Sequence, residues 1–293
     1  MSRSRAAEAG LIFNVIVWGA TFVLVKAALA DVSPVLFIAL RFTLATAALL
    51  AVFRGAALPW RNWKTAGAGA LAGVFLFSGY VFQTMGLRLT TAPRSAFITG
   101  LTSVAVPLLA AIVYRVKPQV SEVMGVLIAT AGLALMMLPG VLGPMRLGDM
   151  LTVCCAAGYA AHIVTLSHFR EKMNFELLAV SQIAVSAMLA WVLLRWIETP
   201  QIAWRPAVVW AILITGLLAT ALAFSVMAWA QRYTSAARTA LIFMLEPVVA
   251  WITSYVMVGE GLSGRAAAGA ALILGGVAMA ELKPLNPRPH QSQ

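Results

Sequence analysis

Long apolar stretches separated by short polar segments recur along the whole chain. Each stretch is close to the roughly 20 residues that an α-helix needs to cross the hydrocarbon core of a bilayer. The pattern predicts ten transmembrane helices, and the connecting segments are too short to form a soluble domain. The predicted spans are 10–29, 34–53, 65–87, 95–114, 123–141, 150–169, 177–194, 207–231, 239–258 and 264–280.

Composition agrees with an all-α integral membrane protein. Of the 293 residues, 61% are apolar and 11% are charged, and the mean hydropathy is +0.90. Soluble domains have roughly half apolar and a quarter charged residues, so a water-soluble fold is excluded. The net charge of +11 is also found in nucleic-acid-binding proteins, but here the basic residues lie singly between apolar runs. We therefore expect a lipid bilayer as the surroundings and no nucleic-acid partner.

The basic residues predict the orientation, because Lys and Arg accumulate in cytoplasmic loops. With a cytoplasmic amino terminus, thirteen fall on the cytoplasmic side: Arg3, Arg5, Arg54, Arg61, Lys64, Arg115, Lys117, Arg170, Lys172, Arg232, Arg238, Lys283 and Arg288. Six fall on the other side: Arg88, Arg94, Arg146, Arg195, Arg205 and Arg265. This bias predicts that both termini are cytoplasmic, which requires an even number of helices.

The two halves of the chain resemble each other. Residues 86–92 match 230–236 at an offset of 144, and Gly125 and Gly132 match Gly269 and Gly276 at the same offset. Either small-residue-rich helices look alike by chance, or the chain contains two repeats. Five helices per repeat is an odd number, so repeats would be inverted, which is the usual scaffold for alternating access. The predicted units are 1–142, an inverted second repeat at 143–284, and a cytoplasmic tail at 285–293.

Two prolines interrupt apolar helices in corresponding parts of the halves. Pro107 and Pro247 lie at an offset of 140, so one half is expected to differ by about one helical turn. Each proline removes an amide donor, and the freed carbonyl is tolerated where it faces protein or a watery cavity. They therefore mark either the path of a solute or a packing kink.

Two charged residues lie deep within predicted spans. Glu246 directly precedes Pro247, and a carboxylate there must be paired, protonated or in contact with water. It would either couple transport to protons or cap backbone groups that the kink frees. Arg41 lies seven residues into its span, as a structural anchor or a clamp for substrate.

Aromatic and weakly polar residues punctuate four of the predicted helices. We expect them either to line a cavity for an apolar or aromatic ligand or to bond neighbouring helices together. The set comprises Asn14, Trp18, Thr21, Tyr80, Gln83, Tyr159, His162, Phe224 and Met227. No acidic motif accompanies His162, and the adjacent Cys154 and Cys155 suit packing, so no catalytic residue, metal site or cofactor is predicted.

Several short motifs carry a family resemblance. They are Trp18-Gly19 with Thr21-Phe22, Arg41-Phe42, Thr234-Ser235-Ala236 and Leu245-Glu246-Pro247. In this order and spacing the chain resembles the EamA-type exporters of the drug/metabolite transporter superfamily, and among them the bacterial exporters of aromatic amino acids. The resemblance implies scaffold roles for Arg41 and Glu246-Pro247. It also implies that the cation-for-proton mechanism of small multidrug relatives does not apply, since the first helix lacks their glutamate.

The expected function is export of aromatic and other neutral amino acids across the bacterial inner membrane by alternating access. An exporter of another small metabolite or drug is the alternative. A membrane-embedded enzyme acting on lipid-linked substrates would need a surface cluster of acids, bases or metal ligands, and the chain has only ten acidic residues and three histidines. A helper subunit of another membrane complex would show no transport alone. No oligomeric state is predicted.

Overall fold

The computed structural model describes residues 2–54, 63–90, 92–115, 119–141, 144–258 and 263–281. Apart from one isolated bridge between Val32 and Ile202, the regular structure of these residues is helical. The predicted tail at 285–293 lies outside the described residues. So do the basic residues Arg61, Lys117, Lys283 and Arg288 and the side chains of Lys64 and Arg94.

Backbone groups have no water to bond with in a bilayer, so helices satisfy them internally. The described helices are α1 (Arg3–Ala28), α2 (Pro34–Val52), α3 (Trp63–Leu89), α4 (Ala92–Gly100), α5 (Thr102–Tyr114), α6 (Val120–Val141), α7 (Leu147–Phe169), α8 (Phe175–Ile197), α9 (Pro206–Gly216), α10 (Ala223–Ala230), α11 (Ala236–Phe243), α12 (Glu246–Val258) and α13 (Gly264–Glu281). A π-helical segment, Leu217–Leu222, joins α9 to α10.

Eight helical stretches of the described chain are long and apolar enough to cross a membrane. Two further apolar helices, Val120–Met136 and Gly264–Met279, are shorter. The chain is therefore a multi-pass membrane protein, as its hydropathy predicts. The total of ten spans stays a prediction, because these last two stretches fall below the usual length of a transmembrane helix.

The helices of the two halves have corresponding neighbours. In the first half α3 packs against α7 and α8, and in the second half α9, the π-helical segment and α10 pack against α1 and α2. In the same way, α4 and α5 of the first half pack on α7, and α11 and α12 of the second half pack on α1. The halves therefore interlock, and each contributes helices to the centre of the bundle.

Glycines bring α6 and α13 into close antiparallel contact. A Cβ added to Gly132 would lie 2.6 Å from the carbonyl oxygen of Gly269, and one added to Gly276 would lie 2.5 Å from that of Gly125. Gly276 is the residue 144 positions after Gly132, and Gly125 is the residue 144 positions before Gly269. The two contacts are therefore equivalent in the two halves. Small residues allow such close approach in membranes, so this packing depends on the absence of side chains.

We expect Gly132→Ala to lower the free energy of unfolding by about 1–3 kcal/mol, because its Cβ would force the α6 and α13 backbones apart. Gly275→Ala is the matched control on α13, since nothing lies within 4 Å of a Cβ there. Thermal unfolding of both variants in detergent measures the difference. Equal midpoints for the two variants would show that the close contact does not matter.

Two helices break at corresponding positions. The carbonyl oxygen of Leu101, between α4 and α5, accepts hydrogen bonds from the amides three and four residues later, both at 3.0 Å. The carbonyl oxygen of Leu245, between α11 and α12, does the same at 3.0 and 3.1 Å. Leu101 and Leu245 are separated by the offset of 144. Both breaks lie within the membrane stretches Phe97–Tyr114 and Ala236–Met257.

The prolines do not mark equivalent positions, which corrects the expectation drawn from their offset of 140. Pro247 is the second residue of α12, where a helix needs no amide donor. Pro107 lies inside α5, well after the break. The breaks therefore precede both prolines, and at this point the halves do not differ by a helical turn.

Candidate functional site

Seven rings meet near the middle of the bundle. Neighbouring ring centroids lie 4.9–6.2 Å apart, mostly edge to face, which is the favoured geometry of aromatic pairs. The rings belong to Trp18, Phe42, Tyr80, Tyr159, His162, Phe224 and Phe243. They come from α1, α2, α3, α7, α10 and α11, and we call them the aromatic cluster.

The aromatic cluster includes five residues of the set predicted from the sequence: Trp18, Tyr80, Tyr159, His162 and Phe224. Sequence reasoning missed Phe42 and Phe243. Phe42 directly follows Arg41 in the Arg41-Phe42 motif, and this motif could have indicated that Phe42 lies at the candidate site. Phe243 is the last residue of α11, and only the position of the helix break identifies it.

Arg41 joins α2 to two other helices. Its Nε donates to Thr220 Oγ1 at 2.6 Å, and its Nη2 donates to Tyr80 Oη at 3.1 Å and to the carbonyl oxygen of Ala219 at 3.2 Å. The guanidinium carbon also lies 4.8 Å from the centroid of the Tyr80 ring, within cation–π distance. The side chain is 5% exposed. Arg41 therefore bonds α2 to α3 and to the π-helical segment.

The π-helical segment Leu217–Leu222 is where these bonds converge. Trp18 Nε1 donates to the carbonyl oxygen of Ala219 at 2.8 Å, and Asn14 Nδ2 donates to that of Ala223, just after the segment, at 2.7 Å. A π-helical turn interrupts the regular i to i−4 bonding, and side chains of neighbours satisfy groups near it. Asn14 therefore bonds helices together.

The remaining predicted polar residues bond to one side chain of a neighbouring helix or to the backbone of their own helix. Tyr159 Oη donates to Gln83 Oε1 at 2.9 Å, and His162 Nε2 lies 2.6 Å from Gln182 Oε1 in a fully buried contact. The Thr21 hydroxyl donates to carbonyl oxygens of its own helix. Met227 is buried in the same core as Phe224. Across the described residues, no three His, Cys, Asp or Glu side chains are grouped as in a metal site.

Exposure separates the residues around the aromatic cluster into two groups. Asn14, Arg41, Tyr80, His162, Phe224 and Met227 are buried. Five neighbouring residues remain partly exposed although they lie within membrane stretches: Trp18, Gln83, Tyr159, Phe243 and Glu246. We call these five the inner wall. Their partial exposure beside the buried residues makes the inner wall the candidate lining of a ligand site.

Glu246 is the charged residue of the inner wall. It begins α12 at the helix break and lies close enough to Tyr80, Tyr159 and Cys155 for electrostatic interaction. Within the described part of the chain, its carboxylate has neither a cationic partner nor a hydrogen-bond donor. The hydrogen bond to freed backbone that a capping role requires is therefore absent from these residues.

The two broken helices meet beside the cluster. Ser103, the second residue of α5, donates from its hydroxyl to the carbonyl oxygen of Ala240 in α11 at 2.6 Å. Thr102 donates to the carbonyl oxygen of Ala156 in α7 at 3.3 Å. Pro107 is buried one turn beyond Ser103. Short side chains near the breaks thus bond to neighbouring backbone, as polar residues between membrane helices do.

Comparison with known proteins places this arrangement in a family. The model of the EamA-like transporter family matches the chain twice, at residues 6–138 and 146–282. A protein of Archaeoglobus fulgidus named as an uncharacterized transporter is 33% identical over 277 residues, which cover 94% of this chain and 86% of that protein. The uncharacterized transporter YoaV of Bacillus subtilis is 21% identical over 92% of this chain and 94% of its own length.

A solved structure shares the fold. A crystal structure with 21% sequence identity superposes with a TM-score of 0.79 and covers 96% of this chain and 98% of the other. At that identity the similarity concerns the fold alone. The helical arrangement described above therefore has an experimental counterpart over nearly the whole chain.

Proposed function

The chain belongs to the EamA-like transporter family, and from this premise we propose that it exports aromatic and other neutral amino acids across the bacterial inner membrane by alternating access. The observation that carries the proposal is the inner wall. It combines three aromatic rings, one amide and one carboxylate that are partly exposed although they lie within membrane stretches.

The inner wall has the composition of a small-molecule site. Such sites are lined mainly by apolar and aromatic side chains, with a few polar groups that orient the ligand. Trp18, Tyr159 and Phe243 provide apolar faces for an aromatic or aliphatic side chain. Gln83 and Glu246 provide the polar groups, and this ratio suits a ligand that is apolar at one end and polar at the other.

The proposal includes two inverted repeats, 1–142 and 143–284, with both termini in the cytoplasm. Three observations support it. The two glycine contacts between α6 and α13 involve residues that correspond at the offset of 144. The helix breaks at Leu101 and Leu245 are separated by the same offset. The family model matches each half of the chain. Nearly equivalent halves can exchange conformations and open a central site to either side.

Transport by purified protein in liposomes tests the proposed function. Liposomes loaded with unlabelled phenylalanine should accumulate external labelled phenylalanine, whereas protein-free liposomes should not. Threonine tests the wider range of neutral amino acids, and lysine and glutamate serve as charged comparisons. If reconstituted protein that elutes as a single folded species moves no amino acid in either direction, the proposed substrate class is wrong.

A further inference from the structure

We propose that Glu246 binds the ammonium group of the ligand and that the ligand's carboxylate is not required for binding. This inference rests on the proposed function only in taking the ligand to resemble an amino acid. The structure distinguishes the two ends of such a ligand because the charged groups of the central region are not equally accessible.

Glu246 has the accessibility that contact with a ligand requires. The residue lies on the inner wall, near the middle of the stretch Ala236–Met257, and remains partly exposed. No described side chain neutralises it. Carboxylates within membranes are costly and usually face a water-filled cavity or a partner of opposite charge. A cationic group on the ligand would provide that partner.

Aromatic rings lie beside Glu246. Phe243 lies one turn before it across the helix break, and Tyr159 is within electrostatic range. Aromatic faces attract ammonium groups, more strongly where water is excluded. A carboxylate combined with aromatic rings is therefore a site for a primary ammonium rather than for an anion.

Arg41 is the basic residue that the described part of the chain places at the aromatic cluster, and it is buried. It is 5% exposed, and its Nε and Nη2 already donate to Thr220, Tyr80 and Ala219. Tyr80 and Tyr159 each interact electrostatically with both Arg41 and Glu246. The guanidinium of Arg41 is thus buried against Tyr80, whereas the carboxylate of Glu246 lies on the partly exposed inner wall.

Binding of four phenylalanine derivatives to purified protein in detergent, measured by isothermal titration calorimetry, tests the inference. Phenylalanine and phenylalaninamide keep the ammonium, whereas N-acetylphenylalanine and 3-phenylpropanoate lack it. We expect the first two to bind within about threefold of each other and the last two at least about tenfold more weakly, as loss of a hydrogen bond between charged groups predicts.

Variants at Glu246 provide the second measurement. In Glu246→Gln the preference for the two ammonium ligands should fall at least about tenfold, and Glu246→Asp should keep part of it. Glu171→Gln is the matched control, because that side chain lies two residues beyond the last residue of α7, is 80% exposed and should leave all four affinities unchanged. If Glu246→Gln does not fold, Glu246→Asp and the ligand series in the unmodified protein decide.

The outcomes separate this inference from the proposed function. Tight binding of N-acetylphenylalanine, or an unchanged preference in Glu246→Gln, would overturn the ammonium site. Binding of phenylalanine but not of its amide would show that the carboxylate is required, which overturns the inference and leaves the proposed function standing. Binding of the amide but not of phenylalanine would support the ammonium site and contradict amino-acid export. Absence of binding by all four ligands would contradict both.

Discussion

Arg41→Met should cause a large loss of stability, because Arg41 bonds α2 to α3 and to the π-helical segment. The variant removes donors that serve Thr220, Tyr80 and the carbonyl oxygen of Ala219. Methionine donates no hydrogen bond, so Tyr80 Oη would stay buried without its donor. The carbonyl oxygen of Ala219 would keep its bond from Trp18, and the Thr220 hydroxyl would keep its bond to the carbonyl oxygen of Thr215. We expect the free energy of unfolding to fall by about 3 kcal/mol, since hydrogen bonds from a charged donor contribute about 1.5–3 kcal/mol each and those between membrane helices often less.

The measurement is thermal unfolding in detergent, together with the folded fraction recovered after membrane extraction. Arg195→Met is the matched control, since Arg195 is an exposed residue near the end of α8 and makes no bond to the cluster. Arg41→Lys should be intermediate, because lysine keeps the charge but cannot reach three acceptors from one planar group. Equal midpoints for Arg41→Met and Arg195→Met would show that Arg41 is not an anchor.

The Arg41 contacts also explain why the π-helical segment could not be predicted. Leu217–Leu222 contains neither glycine nor proline, so its own sequence gives no sign of a break. Its backbone bonds with Trp18 and Arg41, which lie roughly 180 to 200 positions earlier in the chain. Hydropathy reports how apolar a stretch is, and it identified the run 207–231 well. It does not report which neighbour bonds with a carbonyl.

The candidate site shows the same limit of sequence reasoning. Spacing on single helices identified Trp18, Tyr80, Tyr159, His162 and Phe224, and these residues do lie together. Their division into buried residues and an inner wall depends on the packing of several helices. Tyr80 and Trp18 looked equivalent in the sequence, but Tyr80 lies behind the wall and supports Arg41, whereas Trp18 is partly exposed.

This difference changes the interpretation of variants at the two positions. Tyr80→Ala would remove an acceptor of Arg41 and leave a hole in the core, so reduced transport would reflect reduced stability. Tyr80→Phe keeps the ring and removes only the hydroxyl. Trp18 is the better probe of the site, because its ring lies on the inner wall and its single hydrogen bond is to the backbone at Ala219.

Trp18→Ala is expected to reduce phenylalanine transport in liposomes at least about tenfold, which corresponds to the loss of an aromatic contact at the centre of a binding site. The indole ring lies 5.4 Å from Phe224 and 4.9 Å from Phe243, so its removal opens the wall at the point where three helices meet. Trp18→Phe should retain part of the activity because it keeps an aromatic face. Trp210→Ala, at a tryptophan that is 59% exposed on α9, should transport as the unmodified protein does.

Stability separates a role in binding from a role in packing. Trp18→Ala should unfold within a few degrees of Trp210→Ala, since a partly exposed ring loses less packing than a buried one when it is truncated. A matched fall in both transport and unfolding midpoint would assign Trp18 to the framework around Arg41. Transport at the unmodified rate in folded Trp18→Ala would remove this ring from the ligand's path, and the proposed site would then have to lie elsewhere among the helices.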